Sequence, residues 1–208
     1  MNLITVILCG GQGTRLRPIV GDSLPKCLAP VAGRPFLHYV LDYLKWHGVQ
    51  RVVLCIRMDQ WGDFDKQVTW DYRGMMIDYS YEEEPLGTVG ALKNALPLLD
   101  SDLILILNGD TYCPIDLSLL VLHQRQTEAC TTIVIPNPWK GIDENCGVYL
   151  MTRREIEMLP NGSEPLNRQV WFTETPPRVY ATGVPYLDIG TPQGYKKAEQ
   201  FLREVIGG

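Results

Sequence analysis

A chain of 208 residues with 45% hydrophobic and 21% charged residues has an ordinary globular composition and the length of one sizeable α/β core. Its net charge of −5 argues against general nucleic-acid binding, which relies on a basic surface. No apolar stretch approaches the roughly 18 residues of a membrane-spanning helix, and no basic segment precedes the first apolar run. Neither a membrane span nor a signal peptide is therefore expected, and the expected location is the cytoplasm.

The first element, Leu3–Leu8, reads as a strand that runs into Gly10, Gly11 and Gly13, then Thr14 and Arg15, with Lys26 behind Pro25. Glycines beside a hydroxyl and two cations suit a loop that wraps polyphosphate. Glycine lets the backbone approach oxygens and turn its N–H groups inward. Arg supplies a planar fork and Lys a point charge. The better-known glycine motifs do not fit: Leu16 stands where a dinucleotide fingerprint needs its third Gly, no Gly-Lys-Ser/Thr ends a Walker loop, and HRD and DFG are missing. The expected ligand is a nucleoside triphosphate.

Phe36 to His47 carries a helical apolar stripe closed by Gly48, followed by a strand at Arg51–Ile56. A short helix is predicted over Asp59 to Thr69, a strand over Ile77–Tyr81 and an Ala/Leu-rich helix over Thr88 to Leu99. Small residues at Gly87 and Thr88 would open that helix towards a ligand, though Thr88 equally suits an N-cap. Leu103–Leu107 is an unbroken apolar strand, buried on both faces, and it delivers Asn108, Gly109 and Asp110 at its carboxyl end, where ligands of open α/β sheets bind. Leu117 to Gln126 reads as a helix, with strands at Thr131–Ile135 and Gly147–Met151.

The Pro- and polar-rich stretch from Pro160 to Pro177 reads as irregular. A strand at Arg178–Thr182 and a closing helix over Thr191 to Val205 complete the pattern. The helix is preceded by Asp188, whose plain role would be capping, a role Thr191 could also fill. Strands alternating with helices predict one α/β domain over residues 1–208, with no linker or repeat. Cys9, Cys27, Cys55, Cys113, Cys130 and Cys146 are scattered without C-x-x-C spacing, and His38, His47 and His123 do not cluster with them. Reduced, mostly buried thiols are expected.

G-G-x-G-T-R-L followed by P-K resembles the signature of the sugar-1-phosphate nucleotidyltransferases, and the resemblance runs over nearly the whole chain. It implies a three-layer Rossmann-like fold with a mixed, mainly parallel sheet flanked by helices. It also implies Mg²⁺ on Asp110 and on Asp188, the latter in a D-x-G-T context. Arg15 and Lys26 take the catalytic roles, and nucleotide contacts fall to Leu8, Gly10, Gly11, Gly13, Thr14, Gly87, Thr88, Asn108 and Gly109. Asn145-Cys146-Gly147-Val148-Tyr149 resembles the family's N-A-G-x-Y beside the sugar, which points to Asn145 and Gly147. Between Gly162 and Trp171 the chain departs from the pattern: Glu164 matches a sugar-hydroxyl acceptor, but the Lys that follows in many relatives is missing, and Arg168 or Lys140 would have to replace it.

The implied reaction joins a nucleoside triphosphate to a sugar 1-phosphate with release of pyrophosphate. Its nucleophile is a phosphate oxygen whose second pKa is about 6, so no general base is needed, in keeping with the lack of a triad pattern. The short chain, Cys9 before Gly-Gly, and L-D-I-G-T-P-Q-G-Y are similar to the D-glycero-D-manno-heptose 1-phosphate guanylyltransferases, which implies GTP and a place in bacterial surface-glycan synthesis. A uridylyltransferase for N-acetylmuramate 1-phosphate or glucose 1-phosphate, a mannose 1-phosphate guanylyltransferase and a non-catalytic nucleotide-sugar sensor remain as alternatives. No residue in the sequence separates guanine from uracil. A homodimer is conceivable through an exposed Trp61/Trp70 region.

Overall fold

The computed structural model describes residues 3–21, 24–137, 145–161, 165–173 and 175–207. In chain order its elements are β1 (Ile4–Leu8), α1 (Arg17–Val20), β2 (Pro30–Val31), β3 (Arg34–Pro35), α2 (Phe36–Trp46), β4 (Arg51–Arg57), α3 (Trp61–Gln67), β5 (Asp71–Tyr72), β6 (Met75–Glu82) and α4 (Gly87–Ala95). These are followed by β7 (Leu103–Asn108), β8 (Thr111–Tyr112), α5 (Leu117–Gln126), β9 (Thr131–Ile135), β10 (Val148–Thr152), α6 (Arg153–Met158), α7 (Leu166–Gln169), β11 (Arg178–Ala181), β12 (Leu187–Asp188) and α8 (Pro192–Ile206).

Eight strands form one sheet in the order β11-β9-β10-β7-β1-β4-β6-β5. The central run β7-β1-β4-β6 is parallel, and the mixed character comes from β10 and β5, which pair antiparallel with their neighbours. Side-chain alternation explains why these strands are apolar throughout. In β7, Leu105 and Leu107 enter the core beneath α2, α5 and α8, while Ile104 and Ile106 enter the core beneath α4, α6 and α7. Helices cover both faces, so neither set can be polar. The expected three-layer, mainly parallel α/β fold is borne out.

The chain runs from β1 outward to β4 and β6, then returns to place β7 on the other side of β1. Strand order reverses there, and such reversals open a crevice beyond the carboxyl ends of the strands. The feature that positions the site is therefore the register of β1 with β7, which sets Leu8 opposite Asn108.

The segment read as irregular between Pro160 and Pro177 holds α7 and a 3₁₀ turn at Val170–Phe172. Leu166 and Val170 are buried in the core on the α4 side, and that packing overrides the weak local signal. All six thiols are free, five of them buried and Cys130 half-buried. In the Trp61/Trp70 region, Trp61 packs edge-on against Tyr79 with centroids 4.9 Å apart, while Trp70 is 59% exposed.

His38 and His47 both have pKa values lowered by burial, so the fold favours their neutral forms. Unfolded histidines take up protons near pH 6.5, so the unfolded state binds more protons below that value and stability must fall with it. The melting temperature is expected to drop as pH is lowered from about 7 towards 5. Calorimetry of H38Q and H47Q should show a shallower drop in each variant.

Candidate active site

The site starts from two strand ends. The Gly109 N–H donates to the Leu8 carbonyl at 3.0 Å, so the glycine loop after β1 and the Asn108-Gly109-Asp110 loop after β7 leave the sheet side by side. Their contact requires a glycine, because a Cβ at Gly109 would lie 2.9 Å from both the Leu8 oxygen and Cys9 Sγ. A third loop joins at the Asn108 N–H, which donates to the Gly147 carbonyl at 2.9 Å. Gly147 has φ +63°, and a Cβ there would stand 2.7 Å from Asn108 Nδ2.

The loop glycines serve side chains as well as phosphate. At Gly10 a Cβ would be 2.7 Å from Glu82 Oε1, and at Gly11 it would be 3.2 Å from Lys26 Cε. Gly13 lies over the stem of Lys26 and turns through φ +62°. The loop thus lets a carboxylate and an ammonium pass close to its backbone. Pro25 sets up a 3₁₀ turn over Lys26–Leu28, from which Lys26 Nζ forms an ion pair with Asp110 Oδ2.

Asp110 and Asp188 come together through the two-stranded sheet of β8 and β12. Asp188 pairs with Thr111, and the Ile189 N–H donates to the Asp110 carbonyl at 2.9 Å. Both carboxylates converge beside Gly190, where a Cβ would collide with Asp110 Oδ2 and lie 2.9 Å from Asp188 Oδ1. Burial, then the Asp110 charge, pushes the Asp188 carboxyl up, against the pull of the Gly190 N–H, Lys26 and Arg15. Asp188 does not cap α8: Thr191 does, accepting the Gly194 N–H at 3.1 Å. Thr88 likewise does not cap α4, whose N-cap residue is Leu86. Asp188 and Thr88 are left to face the same cleft.

That cleft encloses about 610 Å³, within the range of small-ligand sites. Of the residues singled out from the sequence, it brings together Leu8, Gly10, Gly11, Arg15, Lys26, Gly87, Thr88, Asn108, Asp110, Asn145, Gly147 and Asp188. Gly13, Thr14 and Gly109 are not in its wall: Thr14 is exposed and Gly109 is buried behind the loops. Glu164 and Lys140 lie outside the described residues. Arg168 is exposed on α7 and does not line the cleft. Asn145 uses its side-chain oxygen to accept from the Gly147 N–H at 2.8 Å and the Tyr149 hydroxyl at 3.0 Å, so that oxygen holds the loop in shape.

Sequence reasoning missed Glu82, Pro85, Thr111 and Tyr186, which also line the cleft. Glu82 carried a usable signal, since it ends a parallel strand beside β4.

Two carboxylates fit a hard divalent cation that takes its remaining oxygens from phosphate and water. Among the described residues no group of three or more His, Cys, Asp or Glu could hold a metal ion. A cation at Asp110 and Asp188 would therefore depend on ligands brought by the substrate.

Residues 4–153 match the nucleotidyl transferase family model. The chain belongs to this family. The transferase is 41% identical to the D-glycero-alpha-D-manno-heptose 1-phosphate guanylyltransferase of Campylobacter jejuni, over 91% of this chain and 96% of that one. It is 32% identical to the enzyme of the same name from Aneurinibacillus thermoaerophilus, over 97% and 99% of the two chains. Among solved structures, HddC from Yersinia pseudotuberculosis complexed with GMP-PN superposes with a TM-score of 0.81 at 27% identity, covering 96% of this chain and 99% of that one. The resemblance read from the glycine loop is borne out: the transferase is a sugar-1-phosphate nucleotidyltransferase. Among the described residues no helix is long and apolar enough to cross a membrane.

Proposed function

We propose that the transferase moves GMP from GTP to D-glycero-α-D-manno-heptose 1-phosphate, giving the GDP-heptose and pyrophosphate. The observation that carries the reaction is the convergence of Asp110, Asp188 and Lys26 beside the glycine loop. The sugar and the base rest on the likeness to the heptose 1-phosphate guanylyltransferases over nearly the full length of both chains.

In this reading an oxygen of the sugar 1-phosphate attacks the α-phosphorus, and the bond from that phosphorus to the pyrophosphate oxygen breaks. With its second pKa about 6, the attacking phosphate is already dianionic near neutral pH, so the protein moves no proton. Its work is positioning and charge neutralisation. Lys26, held at the loop by its stem, neutralises the reacting phosphates. Arg15, exposed at the cleft mouth, meets the departing pyrophosphate. Gly10 and Gly11 carry the triphosphate, and Gly87 and Thr88 at the start of α4 meet the nucleoside. Asn145 and Gly147 face the sugar, with Glu164 the proposed acceptor for its hydroxyls. A divalent cation, which we assign as Mg²⁺, would be held by Asp110 and Asp188 and would supply charge neutralisation at the α-phosphate. Residues 1–208 form one catalytic unit in this proposal.

Pyrophosphate release should be measured with each nucleoside triphosphate against heptose, mannose, glucose and N-acetylmuramate 1-phosphates. The GTP and heptose pair is expected to exceed every other pair by at least about tenfold. A UTP pair that turns over fastest would replace the reading with the uridylyltransferase one. Binding without release would replace it with the sensor.

A further inference from the structure

Glu82 ends β6 with its side chain in the cleft wall, yet the residue is only 4% exposed. Its Oε2 accepts the Leu86 N–H at 3.1 Å, and the carboxylate makes no other hydrogen bond among the described residues. Oε1 is the oxygen that a Cβ at Gly10 would meet at 2.7 Å, so it lies against the glycine loop with its acceptor capacity unused. Burial pushes this carboxyl up, while the Leu86 N–H and the Arg57 charge pull it down. A buried acceptor left without a donor is costly, and a ligand that supplies donors recovers that loss.

The position of Glu82 narrows the choice of donors. Asp110, Asp188 and Lys26 gather at the strand ends of β7 and β12, where the phosphates are assigned. Glu82 lies between the glycine loop and the start of α4, beside Pro85, Gly87 and Thr88. Chemistry narrows it further. An ionised carboxylate only accepts, and it presents two oxygens side by side. A guanine edge presents two neighbouring donors, N1–H and the 2-amino group. A uracil edge presents one N–H between two carbonyl oxygens, which would face the carboxylate without a donor between them.

We propose that Glu82 is the base-reading residue of the transferase, accepting the N1–H and 2-amino donors of guanine and thereby setting its preference for GTP over UTP. This rests on the guanylyltransferase reading above and adds to it a residue and a mechanism of selection. Sites built around buried polar pairs reject ligands that leave those groups unpaired by large factors, because the rejected complex keeps the desolvated acceptor.

The test compares kcat/KM for GTP, ITP and UTP in the wild type and in Glu82→Gln, with one sugar 1-phosphate throughout. ITP keeps N1–H and lacks the 2-amino group, and all three nucleotides carry the same ribose. In the variant the Leu86 N–H keeps an amide oxygen, and melting temperature checks the fold. The expected result is a fall of about 10²-fold for GTP, a smaller fall for ITP so that their ratio approaches one, and no fall for UTP. Glu82→Asp, which retains the charge, is expected to keep GTP ahead of UTP at reduced rates. A common factor of loss for all three nucleotides would assign Glu82 to the ribose or to the wall and overturn the proposal. A GTP preference that survives in Glu82→Gln would overturn it as well, with the guanylyltransferase reading intact. A wild type that prefers UTP would overturn both.

Discussion

Asp110→Asn is expected to lower the rate of pyrophosphate release by about 10³-fold while leaving the circular dichroism spectrum unchanged. Asp110 is 6% exposed and shares the space beside Gly190 with Asp188. Removing its charge takes away half of the anionic pair that would hold a divalent cation, and it frees Lys26 from the ion pair that aims it at the loop. The loss falls on transition-state stabilisation, so kcat should drop far more than affinity for GTP. The fold is expected to tolerate the change. Lys26 keeps 20% of its side-chain surface exposed, and an ammonium left at a cleft mouth is hydrated. The broken pair therefore costs less than the ~3–5 kcal/mol of a fully buried one. Lys26→Ala should lose rate on a similar scale for the complementary reason. Near-wild-type turnover in either variant, measured by coupled pyrophosphate detection, would remove that residue from the mechanism.

Gly194→Ala is expected to destabilise the protein by at least about 2 kcal/mol, which at this size corresponds to a melting temperature lower by roughly 4–8 °C, and to depress activity with it. Gly194 lies in the first turn of α8, where its N–H meets the Thr191 hydroxyl. A Cβ there would fall 1.7 Å from the Asp188 carbonyl oxygen, which is backbone and cannot rotate aside. Either α8 or β12 must move, and β12 carries Asp188. Gly62 supplies the contrast. It lies inside α3 with nothing within 4 Å of a Cβ and no positive φ, so Gly62→Ala should be neutral or stabilising by about 0.4–1 kcal/mol. Thermal melts of the two variants should move in opposite directions. Equal melts would mean that the contact between α8 and β12 yields freely.

Much of the fold was legible because long apolar runs report burial directly. The run Leu103–Leu107 emerged as β7 with one added residue, and the stripe from Phe36 emerged as α2. Shorter elements left less trace. α6 was missed although Thr152 and Glu155 carry the S/T-x-x-E start signal, and the Thr152 hydroxyl does accept the Glu155 N–H at 3.3 Å. β8 and β12 have two residues each, too few for any alternation to register, yet they bring the acids together. Thr88 and Asp188 each admitted a capping role that only the observed caps, Leu86 and Thr191, could remove.

The order of residue types along the chain was enough to determine the family, the strand ends that carry chemistry and the identity of the charged groups, because glycine spacing and strand-terminal carboxylates are local properties. Which charges meet was decided by packing. The β8 and β12 pairing delivers Asp188 to Asp110, and the approach of β6 to the glycine loop buries Glu82 against Gly10. Both contacts join segments far apart in the chain, and no local pattern encodes a partner that only the closed sheet supplies.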